Sequence, residues 1–244
     1  MVSMNKKKKI SFKSYEKMAE YYFNYVDTKP FNAYYERPGT LKLLPSVKGK
    51  KILDAGCAAG WYSKWLLDNG VSEVVSIDFS PKMIEMTEKR LNGQGRVIKH
   101  DLNEPLDFLN RNSFDIVLSS LTLHYLKNWD PVMKEFNRIL KKNGCLIFSC
   151  HHPFMDYTYF NRDNYFETAL LEDEWDTNEG PVKVEFYRRP LKDIISPVTE
   201  NGFQIDILDE PMPREKFKKT NPVSYKNLLK KPQFLFVRAI KSDL

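Results

Sequence analysis

The run Lys51-Ile52-Leu53-Asp54 reads as a short buried strand that passes without a spacer into six small residues, Ala55-Gly56-Cys57-Ala58-Ala59-Gly60. An amphipathic segment, Trp61 to Asn69, begins at once, with Gly70 placed to end it in a left-handed cap. A strand ending on a carboxylate, a turn almost without side chains and an immediate helix start leave few architectures open. Such a turn brings a helix N-terminus and backbone N–H groups to the carboxyl end of a strand, where open α/β sheets bind ligands. The chain then repeats the alternation. Glu73 to Asp78 reads as a second strand, Ser80-Pro81 as a helix cap and first turn, and Met83, Ile84, Thr87 and Leu91 as the buried stripe of the helix that follows. Arg96 to His100 and Phe114 to Ser119 read as the third and fourth strands, and Asp130-Pro131 as the start of another helix. That helix has Val132, Phe136, Ile139 and Leu140 on its stripe and Asn143-Gly144 as its stop; Cys145 to Ser149 reads as the fifth strand. Strands alternating with helices over 50–150 predict βαβ units and a parallel sheet.

Residues outside this stretch read less regularly. A helix is expected from Ser14 to about Val26, another over Pro190 to Glu200, and two late strands at Phe203 to Leu208 and Phe234 to Ile240; 151–187 reads as irregular.

Three of the strands end on or beside an acid: Asp54, Asp78 and Asp101. A carboxylate at a strand end is costly unless it meets solvent, a backbone donor or a ligand, and three beside one glycine turn suggest a ligand with several polar groups. A dinucleotide turn needs a third glycine where this chain has Trp61, and Asp54 would oppose a pyrophosphate. A cationic sulfonium amino acid would instead be attracted by Asp54. Asp78 suits a ribose diol, since one carboxylate accepts two hydroxyl bonds, and Asp101 suits an adenine amino group.

On these residues the chain resembles the class I S-adenosylmethionine-dependent methyltransferases. The stretches that carry the resemblance are LDAGCAAG (53–60), VVSIDFSPKMIEMTEKR (74–90), HDLNEPL (100–106), FDIVLSSLTLHYL (114–126) and FNRILKKNGCLIFSCHHPF (136–154). Within the class it is similar to the bacterial small-molecule branch, the type 11-like family. NAYYERPGTLKLL (32–44) and FYRRPLKDIISPVTENGF (186–203) also look like parts of such a family. The resemblance implies a Rossmann-like, doubly wound, mostly parallel seven-stranded sheet with an antiparallel last strand and helices on both faces. It implies S-adenosyl-L-methionine as methyl donor and S-adenosyl-L-homocysteine as product. By position, Asp54, Gly56, Ala58 and Gly60 would lie along the methionine part, Asp78 at the ribose, Phe79 and Met83 beside ribose and base, Asp101 with Leu102 at the adenine, and Ser119 at the sulfonium. The family's middle glycine is Ala58 here, a substitution that costs about 1 kcal/mol if φ is positive.

Direct methyl displacement asks a protein to align two reactants, exclude water and remove a proton where the nucleophile has one to lose. His124, His151 and His152 fall just past the fourth and fifth strands and are the candidate catalytic residues, imidazole being the natural base near neutral pH. Adjacent histidines in an extended segment splay apart, so no metal is expected. Nine aromatics between Phe12 and Tyr35 and nine more over 151–187 suggest core packing or a lid and pocket wall. The resemblance favours the lid, with Tyr22, Tyr35 and Arg37 as substrate or cofactor contacts. Residues 1–45 are then a lid segment, 46–244 the methyltransferase domain, and 151–189 an insertion forming part of the substrate cover. Arg188-Arg189 reads as surface charge or an anion contact.

The net charge of +6 does not by itself indicate nucleic acid. Residues 1–13 hold +5 and 214–231 hold +6, whereas 161–180 hold −6, so the rest of the chain is almost balanced. No apolar run approaches a membrane span, and no secretory signal follows the basic N-terminus, so a soluble cytoplasmic protein is expected. Three cysteines without C-x-x-C spacing argue against a disulfide framework or a zinc site. The fourth strand leads into SSLTLHYL and not into the N/D/S-P-P-aromatic pattern of base-amine methylation. The expected acceptor is therefore a small molecule, methylated on O, N or C. The alternatives are an RNA or protein methyltransferase docking through the basic tail and 214–231, a non-catalytic nucleotide-binding module, or another Rossmann-type cofactor.

Overall fold

The computed structural model describes residues 11–177 and 180–242. Its elements, in chain order, begin with α1 (Phe12–Tyr25), then a π-helical turn at Asn32–Glu36 that runs on as α2 (Arg37–Leu43). The alternating part comprises β1 (Lys51–Ala55), α3 (Trp61–Asp68), β2 (Glu73–Asp78), α4 (Pro81–Leu91), β3 (Arg96–Lys99), β4 (Phe114–Ser120), α5 (Asp130–Ile139) and β5 (Leu140–His151). After it come α6 (Pro153–Tyr159), β6 (Ala169–Trp175), β7 (Val182–Arg188), α7 (Lys192–Glu200), β8 (Phe203–Asp209), α8 (Glu215–Thr220), α9 (Pro222–Leu228) and β9 (Phe234–Lys241).

One seven-stranded sheet runs in the order β3-β2-β1-β4-β5-β9-β8, with β9 antiparallel to both its neighbours and the remaining pairs parallel. This is the doubly wound, mostly parallel sheet with an antiparallel last strand. The order reverses between β1 and β4, so the crevice that such sheets offer to ligands opens above the carboxyl ends of these two strands. Side chains alternate across the sheet as a strand requires. On one face Leu53, Val75, Val117, Leu146 and Phe148 pack with Trp129, Phe136 and Ile139 around α5. On the other Ile52, Val74, Ile116, Leu118 and Ile147 pack with Tyr62 and Leu66 of α3 and Leu43 of α2. At about 25 cal/mol per Å² of apolar surface removed from water, these two layers are the main force holding the sheet.

The sequence reading of 151–187 as irregular is corrected: it contains α6 and a separate hairpin, β6–β7. The hairpin was hidden because its apolar alternation (Leu171, Val182, Val184, Phe186) is answered by Met18 of α1, far away in the chain, and not by the main sheet. Helix α1 also packs Ala19 against Ala59, Met83 and Met86, so it lies between the glycine turn, α4 and the hairpin. Ser11, just before α1, ties that helix to the hairpin: its hydroxyl donates to the carbonyl of Glu185 at 2.8 Å and accepts from the Glu185 N–H at 2.7 Å. The fifth strand also differs from expectation. It starts at Leu140, directly after α5, and Asn143 (φ 59°) with Gly144 forms a bulge within it, between Leu140 opposite Phe114 and Cys145 opposite Ile116.

Candidate functional site

The turn after β1 is built around two glycines that admit no side chain. Gly56 has φ 85°, and a Cβ there would lie 2.2 Å from the hydroxyl oxygen of Thr122, in the loop after β4. Gly60 has φ 75° and a Cβ would meet Thr87 of α4 at 2.8 Å. Ala58 between them has φ 47°, so the alanine holds a left-handed conformation in place of the family's middle glycine. Two polar contacts fix it there: its N–H donates to Asp78 Oδ2 at 3.0 Å, and its carbonyl accepts from the Thr87 hydroxyl at 2.6 Å.

Asp78 ends β2 beside this turn. Its other oxygen accepts from the Ser80 N–H at 3.0 Å. Burial pushes its carboxyl up to about 6, against the opposing pull of the Ser80, Ala58 and Phe79 N–H groups. Asp54 lies behind the turn at 1% exposure, on the α3 side of the sheet. One of its oxygens accepts from Ser63 at 2.5 Å, and the other, Oδ1, has no hydrogen-bond partner among the described residues. Burial, and less strongly the charge of Asp78, raises the Asp54 carboxyl to about 7. Two buried acids with no cation among the described residues in contact with them, one with an orphaned oxygen, fit a positively charged ligand bearing a diol and do not fit a phosphate.

A cleft of about 2250 Å³ runs from this turn across the top of the sheet. Of the residues singled out from the sequence, Gly56, Ala58, Asp78, Phe79, Asp101, Leu102, Tyr22, His124 and His151 line it. Asp101 lies two residues beyond the end of β3, where its Oδ1 accepts from the Asn103 N–H at 3.0 Å and from its side-chain amide at 2.9 Å. Asp54, Gly60, Met83 and Ser119 stand behind the wall. Met83 packs under α1, and Ser119 donates to the Ala55 carbonyl at 2.9 Å, locking β4 to β1. Tyr35 is placed in the core: its ring stacks on Phe234 at 5.4 Å and its hydroxyl accepts from the Gln233 N–H. Arg37 is also buried, lying 4.1 Å over the Trp61 ring and donating to the Asp27 carbonyl.

The far end of the cleft holds the histidines. A 3₁₀ turn at Leu123–Tyr125 presents His124, and the end of β5 presents His151; their rings stack at 4.2 Å with 26° between planes. Burial first, then the facing His151 and Arg189, holds His124 well below the ordinary imidazole value, so it is neutral at pH 7. Phe186 meets His151 edge-on at 4.4 Å. Nδ1 of His151 lies 3.6 Å from Oδ1 of Asp156, in the first turn of α6. His152 turns away: its Nε2 is 2.6 Å from Glu210 Oε1 and its Nδ1 accepts from the Phe154 N–H, so it caps α6 outside the cleft. Arg188 and Arg189 are buried, which overturns their reading as surface charge. Arg188 donates to the carbonyls of Tyr165 and Glu167, and Arg189 lies over Trp129 and donates to the Leu126 carbonyl.

Two features escaped the sequence reading. Glu36, in the π-helical turn, is fully buried; its Oε1 accepts from Thr40, Ser120 and Ser149 at 2.7 Å each and its Oε2 from Tyr62 at 2.8 Å. It pins the turn before α2 to the ends of β4 and β5, and no local pattern announces it. Tyr15 of α1 and Tyr125 share a hydroxyl–hydroxyl bond of 2.6 Å across the cleft, between the Asp78 end and the histidine end. Among the described residues no group of His, Cys, Asp and Glu is placed to hold a metal ion, and no helix is long and apolar enough to cross a membrane.

The family model that matches is a methyltransferase domain, over residues 53–148. An uncharacterized protein of Haemophilus influenzae is 32% identical over 228 residues, covering 87% of this chain and 89% of the relative. A malonyl-[acyl-carrier protein] O-methyltransferase of Legionella pneumophila is 30% identical over 122 residues, 49% of this chain and 41% of that protein. This chain therefore spans about two fifths of that relative's length. Among solved structures, a candidate S-adenosylmethionine dependent methyltransferase of Listeria monocytogenes matches with TM-score 0.74 and 24% identity, over 85% of this chain and 97% of that one, which speaks to the fold.

Proposed function

The chain belongs to the class I S-adenosylmethionine-dependent methyltransferases, and from that premise we propose that it methylates O, N or C of a small-molecule acceptor held at the histidine end of the cleft. The observation that carries this reading is the continuity of one aromatic-walled cleft from Asp78 and Asp101 to His124 and His151, beneath α1 and the β6–β7 hairpin. On this reading the described part of segment 1–45 and the insertion 151–189 are the cover that keeps water from the reacting atoms.

S-adenosylmethionine, when bound, would supply a methyl group activated by positive sulfur. The rest falls to the chain. Asp78 accepts hydroxyl bonds from a ribose, Asp101 and Leu102 border an adenine, and Phe79 flanks both. The Gly56–Gly60 turn with Asp54 behind it receives the cationic amino-acid part. His124 and His151 face the acceptor. Met83, Ser119 and Gly60 keep the wall in shape, and His152, Tyr35 and Arg37 serve the fold around it.

The basic segment 214–231 borders the cleft at Lys230 and Lys231, so the choice between a small and a macromolecular acceptor is made by experiment. Residues 1–10 of the basic tail lie outside the described residues, and 214–231 folds as α8 and α9 with its lysines exposed. Calorimetry with S-adenosylhomocysteine on the wild type and on Asp78→Ala, followed by a methyl-transfer screen over small-metabolite extracts, tests the proposal. Tight binding lost in the variant, and a methylated small molecule in the screen, are the expected results. Methylation of added RNA or protein with no small-molecule product would overturn it.

A further inference from the structure

Asp156 stands at a depth where a carboxylate is costly. It is 2% exposed, and its Oδ1 has no hydrogen-bond partner among the described residues. The charge of Arg188 acts on Asp156, but its guanidinium donates to the Tyr165 and Glu167 carbonyls and lies over the Tyr165 ring; Arg189, in the same wall, is committed to the Leu126 carbonyl and the Trp129 ring. A buried acid of this kind destabilises the fold unless another group answers it. The group it faces is His151, whose Nδ1 is 3.6 Å from Oδ1. The His151 ring cannot swing freely: His124 stacks on it, Phe186 meets its edge, and Phe234 lies 6.0 Å away on a nearly parallel plane. At 3.6 Å the two atoms stand beyond hydrogen-bond length, and neither has a hydrogen-bond partner among the described residues; a small approach closes the bond, and since a carboxylate only accepts, Nδ1 is then the donor. That leaves the lone pair on Nε2, the ring nitrogen not turned to Asp156, and His151 lines the cleft.

We infer that Asp156 is the positioning residue for His151 as proton acceptor, and that the acceptor atom is the oxygen of a neutral hydroxyl on a flat ring. The inference rests on the proposal that the histidine end of the cleft receives the acceptor. Among oxygen, nitrogen and sulfur acceptors, a neutral amine attacks through its lone pair before losing a proton, and a carboxylate or thiolate has none to lose, so none of these needs an oriented base. A hydroxyl does. A phenol, with a pKa near the tyrosine value of about 10, gives its proton to an imidazole at much lower cost than an aliphatic alcohol does. The ring walls Phe186, Phe234, Phe160 and Tyr125 suit a flat aromatic body. In the step itself the hydroxyl proton passes to Nε2 and the O–H electron pair stays on oxygen, which bonds to the methyl carbon as the methyl–sulfur pair returns to sulfur. The resulting imidazolium faces the Asp156 carboxylate until it releases the proton to solvent.

Three variants of the full chain test this: Asp156→Ala, Asp156→Asn and His151→Gln. In the ligand-free protein, ¹⁵N spectra of the imidazoles, with His151 assigned by its absence in His151→Gln, report which ring nitrogen is protonated. The wild type should show the Nδ1-protonated form of His151, retained in Asp156→Asn, whose amide oxygen still accepts, and lost in Asp156→Ala. Turnover with the acceptor from the metabolite screen should fall about 100-fold in Asp156→Ala and His151→Gln, the scale of a general base, with KM and S-adenosylhomocysteine affinity within threefold of wild type. The product should carry its new methyl on a ring oxygen. Nε2 protonation of His151 in the wild type, undiminished turnover in Asp156→Ala, or a product methylated on nitrogen, sulfur, carbon or carboxylate overturns the inference. Failure of the parent proposal looks different: no S-adenosylhomocysteine binding, or no small-molecule product, with the ¹⁵N pattern intact. Should Asp156→Ala not fold, Asp156→Asn still separates charge from orientation, by a fall in kcat with the tautomer kept.

Discussion

The backbone N–H of Ala58 donates to Oδ2 of Asp78 at 3.0 Å, so a residue in a left-handed conformation is held by the carboxylate assigned to the ribose. The strain of the alanine and the orientation of the acid are thus parts of one contact.

Ala58→Gly should stabilise the ligand-free protein by about 1 kcal/mol, because glycine adopts φ 47° without the Cβ clash. Part of the gain is offset by the greater freedom of glycine in the unfolded chain. Urea unfolding reads the difference. A loss of stability would mean that the alanine methyl contributes packing under α1 that exceeds the strain.

Nucleoside binding should weaken as pH falls through about 6, since Asp78 accepts two hydroxyl bonds with both oxygens only as carboxylate and its carboxyl titrates near there. Calorimetry with S-adenosylhomocysteine from pH 8 to pH 5 checks this, and Asp78→Asn should bind weakly with a flat profile.

Folding stability should move the other way. Asp54, at about 7, and Asp78, at about 6, both titrate above their ordinary value of 3.8. The folded chain therefore holds their protons more tightly than the unfolded chain does. Their contribution is fully present below the unfolded value and is lost as pH rises through 6 to 7. The ligand-free melting temperature should fall across that window, and Asp54→Asn should flatten the fall.

Glu36→Ala should cost about 3 kcal/mol or more, because the buried hydroxyls of Thr40, Tyr62 and Ser149 and the half-buried one of Ser120 lose their acceptor at once. Glu36→Gln should cost less, since an amide can still accept from some of them. Denaturant midpoints of the two variants give the comparison.

Glu16 accepts from the Ser80 hydroxyl at 2.5 Å and from the Lys82 N–H, fastening α1 over the start of α4. Glu16→Ala should raise hydrogen exchange along α1 and speed S-adenosylhomocysteine release about threefold, with the sheet amides unchanged. Equal exchange in both proteins would place the fastening of α1 in its apolar contacts alone.

The strands and helices of 50–150 were legible because each carries its own signal. Ser80-Pro81 caps a helix whose Ser80 hydroxyl accepts from the Met83 N–H, and Gly70 takes the left-handed position after α3. The acids were legible for the same reason, each lying at or near a strand end whose position the alternation fixes. What was not legible depends on partners distant in sequence. Tyr35 and Arg37 look like lid residues in an aromatic stretch, yet Phe234 and Trp61 claim them for the core. Arg188 and Arg189 look like surface charge until the Tyr165 and Leu126 carbonyls are folded against them. Asp156 gained a meaning only when α6 brought it opposite His151.

The double hydrogen bond between Ser11 and Glu185 has a consequence for how such a protein can change. Helix α1 and the β6–β7 hairpin, from separate places in the chain, line the cleft joined at residues 174 positions apart, so on the proposed reading they cover it as one piece. Neither can be exchanged for the cover of another enzyme while the other stays. A graft that aims to alter acceptor choice has to carry the N-terminal helix and the hairpin together, and relatives that accept different molecules should have remodelled both.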